Sequence, residues 1–493
     1  MLLDGFAVFA CMVSLLGIAL ARRRRARSSL PLPPGPPAKG LLANVGDIPL
    51  ENQWIAYTDM AEKYGSVVHL RALNRHLVVL NTLDAVTELF DKRSTVYSDR
   101  PRFHMLELAW NTGLMPYGQT WREHRRVLHQ FFNEGASKAY AEIQTRNNIQ
   151  FLKSLLDAPD DVWNHVRRVT SANVLSIAYG IDVAAENDPW VKIVEDGLTS
   201  FGNAGTPGGY LVDWIPALIY LPDWFPGATF QRQATAWRKL VERMLYAPLD
   251  YVKSQIASGN STPSLAAELL QYGLNGQPLS LTSSAILFII QSMMLHPNKQ
   301  RVAQEELDRV MGPDRLPSFG DRRSLPYVEA FMLESLRMFP VFPVVLPRRA
   351  MVEDEFQGMR IPSGATILAN VWHILREERQ YPNPHAFLPE RFMRDGKIDA
   401  SVPDPRIPVF GWGRRICVGR PLADSTIWLL VATVLTCFTV NKKRDKDGNE
   451  VPFEPRIQSG LNVWPAPFPC DISPRSEAAK RLVSLVSSSF DHS

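Results

Sequence analysis

The chain of 493 residues sets 54 Lys and Arg against 50 Asp and Glu, a formal charge of +4, with 45% of its residues hydrophobic and 21% charged. This is ordinary globular material, and because much of the excess charge sits at residues 22–27, the rest is nearly neutral and offers no footprint for nucleic-acid binding. The four cysteines, Cys11, Cys417, Cys437 and Cys470, form no CxxC pair and no disulfide framework, which fits a reducing compartment.

The amino terminus is apolar from Met1 to Ala21, about long enough to cross a thin bilayer as a helix. Arg22, Arg23, Arg24, Arg25 and Arg27 follow at once. A positive flank after the apolar run keeps the downstream chain on the cytosolic side, whereas a cleaved signal peptide carries its positive end first. Pro31, Pro33, Pro34, Gly35, Pro36 and Pro37 then form a stiff, non-helical spacer. No linker-like break follows Gly40. The expected division is a single-pass anchor and basic stop over 1–27, a hinge over 28–40, one large domain over 41–470 and a tail over 471–493.

Apolar periodicity predicts a helix from Trp54 to Lys63, a hairpin of Ser66–Arg71 and His76–Asn81 turning at Asn74-Arg75, and a helix from Leu83 to Asp91. A looser section, Tyr97 to Tyr117, precedes a helix over Gly118–Phe132 whose Trp121 and Arg125, at i and i+4, bring an indole N–H and a guanidinium to one face. Helical spacing returns over Ala136–Tyr179 and Pro189–Phe201. From Tyr210 to Phe230 aromatic and aliphatic residues crowd among Pro216, Pro222 and Pro226, a loop-rich apolar patch that serves either a lipid surface or core packing. Leu281–Leu295 reads as an apolar helix, with Pro278 ending it on the amino side.

Glu334 and Arg337 lie one turn apart on a helix over Tyr327–Phe339, and Arg391 follows in Pro389-Glu-Arg-Phe392. Then comes Phe410-Gly-Trp-Gly-Arg-Arg-Ile-Cys-Val-Gly-Arg420, running into an apolar helix over Leu422–Val440. Cys417 stands just before that helix, whose first amides and dipole favour a thiolate. Gly413 and Gly419 allow a tight turn or the approach of a flat cofactor, Phe410 shields the sulfur, and Arg415 is placed to pair with a carboxylate.

This last stretch resembles the haem-binding signature of the cytochrome P-450 family, Phe-x-x-Gly-x-Arg-x-Cys-x-Gly, at every fixed position. The Trp-x-x-x-Arg, Glu-x-x-Arg and Pro-Glu-Arg-Phe elements occur in the family's order and at family-like intervals, and the likeness runs from the anchor to about Pro469, with a fungal microsomal flavour. The resemblance implies a mainly α fold with a small β region, and a haem-thiolate catalytic domain on the cytosolic side of the endoplasmic reticulum. It implies heme b (iron protoporphyrin IX) with Cys417 as axial ligand and with Trp121, Arg125, Arg348 and Arg415 on the propionates. It also implies a buried triad of Glu334, Arg337 and Arg391, a pocket including Val341, Phe342, Val344, Val345 and Leu461, and electrons from NADPH-cytochrome P-450 reductase, with cytochrome b5 as a further donor. A thiolate opposite the open iron site favours O–O cleavage. The implied reaction inserts one oxygen atom of dioxygen into a small hydrophobic substrate, in fungal secondary metabolism or xenobiotic oxidation.

One piece departs from the family. Where the central distal helix carries an acid-alcohol pair that steers protons to the reacting oxygen, this chain has Ser280 and Leu281, preceded by Gly276-Gln-Pro-Leu279, and Thr282 matches only a second threonine. The helix is expected to be short by roughly 15 to 20 residues. A faulty or alternatively spliced gene product, substitution by Ser280 and Thr282 with water, and a reaction that does not use dioxygen all explain this. Beside the monooxygenase stand two further readings, a haem-thiolate isomerase or dehydratase of hydroperoxides and a catalytically silent haem-binding protein. The apolar run carries its own test: the full chain should sediment with microsomes and resist alkaline carbonate, and deleting Met1–Arg27 should weaken that attachment. Complete release of the full chain by carbonate would rule out a spanning anchor.

Overall fold

A computed structural model describes residues 30–490 apart from 41, 104, 106–110, 185–186, 205–209, 223 and 272–281. The fold is mainly helical, with small β regions. Its principal helices are α1 (Gln53–Tyr64), α2 (Gln119–Phe132), α3 (Ala141–Asp157), α4 (Val162–Tyr179), α5 (Pro189–Ala204), α6 (Thr229–Ala257), α7 (Leu265–Gln271), α8 (Thr282–Leu295), α9 (Pro297–Met311), α10 (Pro326–Met338), the short α11 (Arg406–Phe410), α12 (Arg420–Cys437) and α13 (Glu477–Phe490). Helix α12 is the central post. Its residues from Thr426 to Val434 are buried without a gap, as befits a helix apolar all round, and it packs against α3, α8, α9 and α10. Helix α10 is equally enclosed, and its free amino-terminal amides at Tyr327 and Val328 donate to the Glu306 carboxylate of α9.

Strands β1 (Val67–Ala72), β2 (Arg75–Leu80), β3 (Arg348–Arg349) and β4 (Thr366–Ala369) form one sheet in the order β1-β2-β4-β3, with β2 and β4 parallel. The expected hairpin exists, but its turn is Leu73-Asn74, one residue early. Ala72 pairs with Arg75, and Leu73 takes the left-handed backbone. A second difference lies at the end of α12. Residues Phe438–Lys442 form strand β5, paired antiparallel with β6 (Cys470–Pro474), where the apolar run predicts continued helix to Val440. A short run buried on both faces has no period to separate strand from helix, and the pairing decides. The boundary expected at residue 470 falls inside this sheet, and α13 beyond it packs on α3 and α12.

The proline-rich spacer lies against the domain. Pro34 accepts the amide of His69 on edge strand β1, Pro31 accepts that of Arg360, and a Cβ on Gly35 would stand 1.9 Å from the His69 carbonyl oxygen, so only glycine fits there. The apolar patch is loop-rich as expected, with Tyr220 87% and Trp224 76% exposed. The 29-residue α6, which carries Pro248 in its interior, has no counterpart among the elements predicted above. Among the described residues no helix is long and apolar enough to cross a membrane; the run Met1–Ala21 lies outside them.

Glu334, Arg337 and Arg391 meet in one cluster. The Glu334 carboxylate accepts from Arg337 Nε at 2.7 Å, from Arg391 Nε at 3.1 Å and from the Leu388 amide at 2.8 Å. Arg337 Nη2 adds a second bond to Glu334 at 2.9 Å, and other guanidinium donors go to the carbonyls of Leu375, Pro382, Asn383 and Ala386. Both side chains of the Glu334–Arg337 pair are wholly buried, so this is no surface ion pair. Removing one partner of such a cluster typically costs about 3–5 kcal/mol because the others stay buried and uncompensated. Glu334→Ala is therefore expected to lower the unfolding free energy measured by urea titration by that much, whereas Glu390→Ala, at a half-exposed carboxylate, should cost less than about 1 kcal/mol.

Candidate functional site

The loop Gly411–Gly419 joins α11 to α12. Its shape is local: the Cys417 amide donates to the Phe410 carbonyl at 2.8 Å, and the Ile416 amide to Gly413 at 3.1 Å. Gly413 has φ +54°, and a Cβ there would sit 2.1 Å from the Phe90 carbonyl oxygen, so the loop presses backbone to backbone on the π-helical turn Thr87–Lys92.

Cys417 lies on the wall of a cavity of about 350 Å³, with its side chain open to that space. Burial pushes its thiol up from the ordinary value, while the amides of Gly419 and Arg420 and the charge of Arg125 pull the other way. The helix amides thus act as the sequence predicts, and desolvation outweighs them.

Four guanidiniums border the same cavity: Arg100, Arg125, Arg348 and Arg415. Arg100 donates to the carbonyls of Gly113, Leu346 and Pro347, Arg415 to those of Ser98, Thr112 and Met115, Arg125 to Ile416 and Arg348 to Trp412. No carboxylate among the described residues pairs with any of the four, and Arg348 Nε has no partner. Burial, reinforced by the neighbouring positive charges, holds Arg100 far below the usual guanidinium range and pushes Arg348 down to about 9. Arg415 is pushed down to about 10, chiefly by burial. A cluster of this kind is short of negative charge, and a flat group carrying two carboxylates and a metal that accepts sulfur fits it.

The remaining sequence-predicted residues fall as follows. Trp121 is buried; its indole N–H donates to the Thr112 carbonyl at 3.2 Å, and its ring lies under the guanidiniums of Arg415 and Arg125. Phe410 and Gly419 line the cavity, as do Phe342, Val345 and Thr282. Val341 and Val344 are buried in core clusters away from its wall, and Leu461 packs behind Phe342. The expected apolar helix Leu281–Leu295 is present as α8 from Thr282 onward, while Ser280 and Leu281 lie outside the described residues. Arg100 escaped the sequence reading. Its only local signal is the run Ser98-Asp99-Arg100-Pro101, which carries no spacing rule, and its role emerges from carbonyls nearly 250 residues away.

The family model for cytochrome P-450 matches residues 33–271 and 280–461. The chain belongs to the cytochrome P-450 family. It is 37% identical to a cytochrome P-450 monooxygenase of Armillaria gallica, over 95% of this chain and 97% of that one. Cytochrome P-450 monooxygenase 98 of Postia placenta is 36% identical over 93% and 94% of the two chains, and the tryptamine 4-monooxygenase of Psilocybe cyanescens is 34% identical over 95% and 97%. As a cytochrome P-450 of this kind the chain is an oxidoreductase, a monooxygenase, and the family's cofactor is haem. Members generally take electrons from redox partners and act on hydrophobic substrates.

The raised Cys417 thiol gives a pH dependence in the haem-free cytochrome P-450 chain. Only the thiolate reacts with iodoacetamide, and a raised pKa keeps the thiol protonated through the ordinary thiol range near about 8.5. The alkylation rate at Cys417, followed by peptide mapping, should therefore still be climbing above that range. A plateau reached near neutral pH would show that helix amides and Arg125 win over burial.

Proposed function

We propose that this chain is an endoplasmic-reticulum haem-thiolate monooxygenase, its catalytic domain in the cytosol. It inserts one oxygen atom of dioxygen into a small or medium hydrophobic molecule, drawing electrons from NADPH through NADPH-cytochrome P-450 reductase, with cytochrome b5 as a second donor. The observation that carries the reading is that one cavity holds the Cys417 thiol and four guanidiniums without carboxylate partners. That donor set suits heme b, with Cys417 on the iron and Arg100, Arg125, Arg348, Arg415 and Trp121 around the two propionates. When bound, the haem supplies the redox centre at which dioxygen is activated. Cys417 would hold the metal as the thiolate, having given up its proton. Phe410 screens the sulfur from water, Gly419 on the cavity wall keeps the loop slim enough for a flat group to approach, and Gly413 seats the loop on the Phe90 carbonyl. Glu334, Arg337 and Arg391 hold the frame behind the loop.

On the substrate side, Phe342 and Val345 offer apolar contact, with Val341, Val344 and Leu461 behind them, which favours a hydrophobic molecule. Thr282, whose side chain borders the cavity, and Ser280 with water handle the proton that the family's acid-alcohol pair would deliver. Exposed Tyr220, Trp224 and Phe225 offer a second apolar contact for a lipid surface. Fungal secondary metabolism or xenobiotic oxidation is the setting this chemistry serves.

A second reading rests on the sequence around Ser280, where the pair is missing and where the family match breaks between 271 and 280. A positioned proton donor is worth about two to four orders of magnitude in rate, so a haem-thiolate isomerase or dehydratase of hydroperoxides, which needs none, is the competing activity. With reductase and dioxygen, the monooxygenase consumes NADPH and forms an oxygenated product; turnover of a lipid hydroperoxide without NADPH would favour the alternative. Cys417→Ser should abolish the thiolate-type spectrum of the reduced carbon-monoxide complex, and Cys437→Ser and Cys470→Ser should leave it intact. A thiolate spectrum surviving in Cys417→Ser would overturn the ligand assignment.

A further inference from the structure

Four charged side chains from four separate segments close into a ring beside the cysteine loop. Arg322, in the 3-10 turn Phe319–Ser324, donates through Nε and a terminal nitrogen to Glu329 of α10 at 2.8 and 2.9 Å and through its other terminal nitrogen to Asp424 of α12 at 2.6 Å. Arg406, the first residue of α11, donates to Glu329 at 2.9 Å and to Asp424 at 3.2 Å. Each carboxylate thus takes both guanidiniums, and the two positive and two negative charges balance. All four are largely covered, with side-chain exposures of 22% for Arg322, 11% for Glu329, 21% for Arg406 and 17% for Asp424. A further carboxylate, Asp404, binds Arg406 Nε at 3.0 Å.

The placement of the ring follows the cysteine. Arg406 stands where the chain enters the stretch that carries Cys417, and Asp424 lies in the first turns of the helix by which it leaves. Glu329, which binds Arg406 directly and is linked to Asp424 through Arg322 and Arg406, lies on the same helix as the buried Glu334, five positions ahead of it. Within the loop itself, Arg125 and Arg348 hold the Ile416 and Trp412 carbonyls and Arg415 is tied to Ser98, Thr112 and Met115, so the ring acts on the two ends that these contacts leave. A metal ligand needs its donor atom placed to within about 0.5 Å, and a loop pinned at both ends to one rigid helix meets that demand better than a free one.

We infer that Arg322, Glu329, Arg406 and Asp424 form a positioning ring that fixes Cys417 by clamping both ends of its loop to α10. The inference rests on the reading of Cys417 as the haem ligand. Isolated surface pairs contribute little to stability, and the effect of this ring is on where the sulfur stands.

The test uses the full-length holoprotein and the variants Asp424→Asn, Arg406→Gln and Arg406→Lys. Asp424→Asn preserves shape while removing one charge, so it keeps the test open should Arg406→Gln fold poorly. Three quantities are read for each: the fraction of the reduced carbon-monoxide complex in its thiolate form, the midpoint potential of the haem, and the thermal unfolding curve. In Asp424→Asn and Arg406→Gln the thiolate fraction should fall about twofold or more, the scale on which residues in one charge network are coupled. The potential should move with it, at temperatures where the unfolding curve is still flat, and Arg406→Lys should recover part of both. Unchanged thiolate fraction and potential, or a loss that only tracks the unfolded fraction, would overturn the inference. A parent protein without any thiolate spectrum would instead overturn the assignment of Cys417.

Discussion

A wholly buried carboxylate sets the terms for the rest of this molecule. Glu334 has no water to solvate it, so it is tolerable only while two guanidiniums and an amide face it. One guanidinium, Arg337, lies on the same helix, but Arg391 and the Leu388 amide come from more than fifty residues further along the chain, and the carbonyls that satisfy the spare guanidinium donors come from the meandering segment between Leu375 and Ala386. Irregular chain is thereby held to the rigid helix α10 by polar bonds in place of apolar packing. Strand and helix order elsewhere tolerates substitution of one hydrophobic residue for another of like volume. This cluster does not, since each of its bonds depends on charge.

Charge is treated in two opposite ways within a short stretch of structure. Around Glu334, and again in the ring of Arg322, Glu329, Arg406 and Asp424, every positive group meets a negative one. Around the cavity, Arg100, Arg125, Arg348 and Arg415 meet carbonyls and the rings of Trp121 and Phe90 but pair with no carboxylate among the described residues, and burial lowers their pKa values. A fold that balances its buried charges in two places and leaves a third cationic is strained in a directed way. The imbalance is relieved by a ligand bearing negative charge and not by any rearrangement of the described side chains.

What the sequence could disclose follows from how local each feature is. The cysteine loop and the Glu334–Arg337 spacing are contained within a few residues, so the pattern and its chemistry are visible in the letters. Arg391 was reachable because order along the chain constrained it. Arg100 and the ring were not, since nothing in the neighbourhoods of residues 100, 322, 406 and 424 states which distant partners they find. Helix α6 went unpredicted because its apolar positions are diluted by charge and interrupted by Pro248, and its core face is defined by packing on α5. The strand at Phe438–Lys442 was read as helix because a continuous apolar run carries no period, and only pairing with Cys470–Pro474 distinguishes the two. The turn at Leu73-Asn74 was displaced by one residue because the register of the flanking strands, with Ala72 opposite Arg75, outranks the preference of Asn74-Arg75.

The proline spacer has a consequence for solubility. Strand β1 is an edge of its sheet, and an uncovered edge recruits strands from other molecules. Here the edge is closed from outside by the spacer and the residues after it: Pro34 takes the His69 amide, and Asn44 both donates to the Arg71 carbonyl through its own amide and accepts the Arg71 amide on its side chain. Gly35 makes room for this close seating, and the prolines, which lack amide donors, offer no new edge in turn. A segment that looks like a mere tether is therefore also a gatekeeper against aggregation. A version of the protein trimmed at Arg27 keeps that cover, while one trimmed past Pro37 keeps Asn44 on Arg71 but uncovers the His69 amide of that edge.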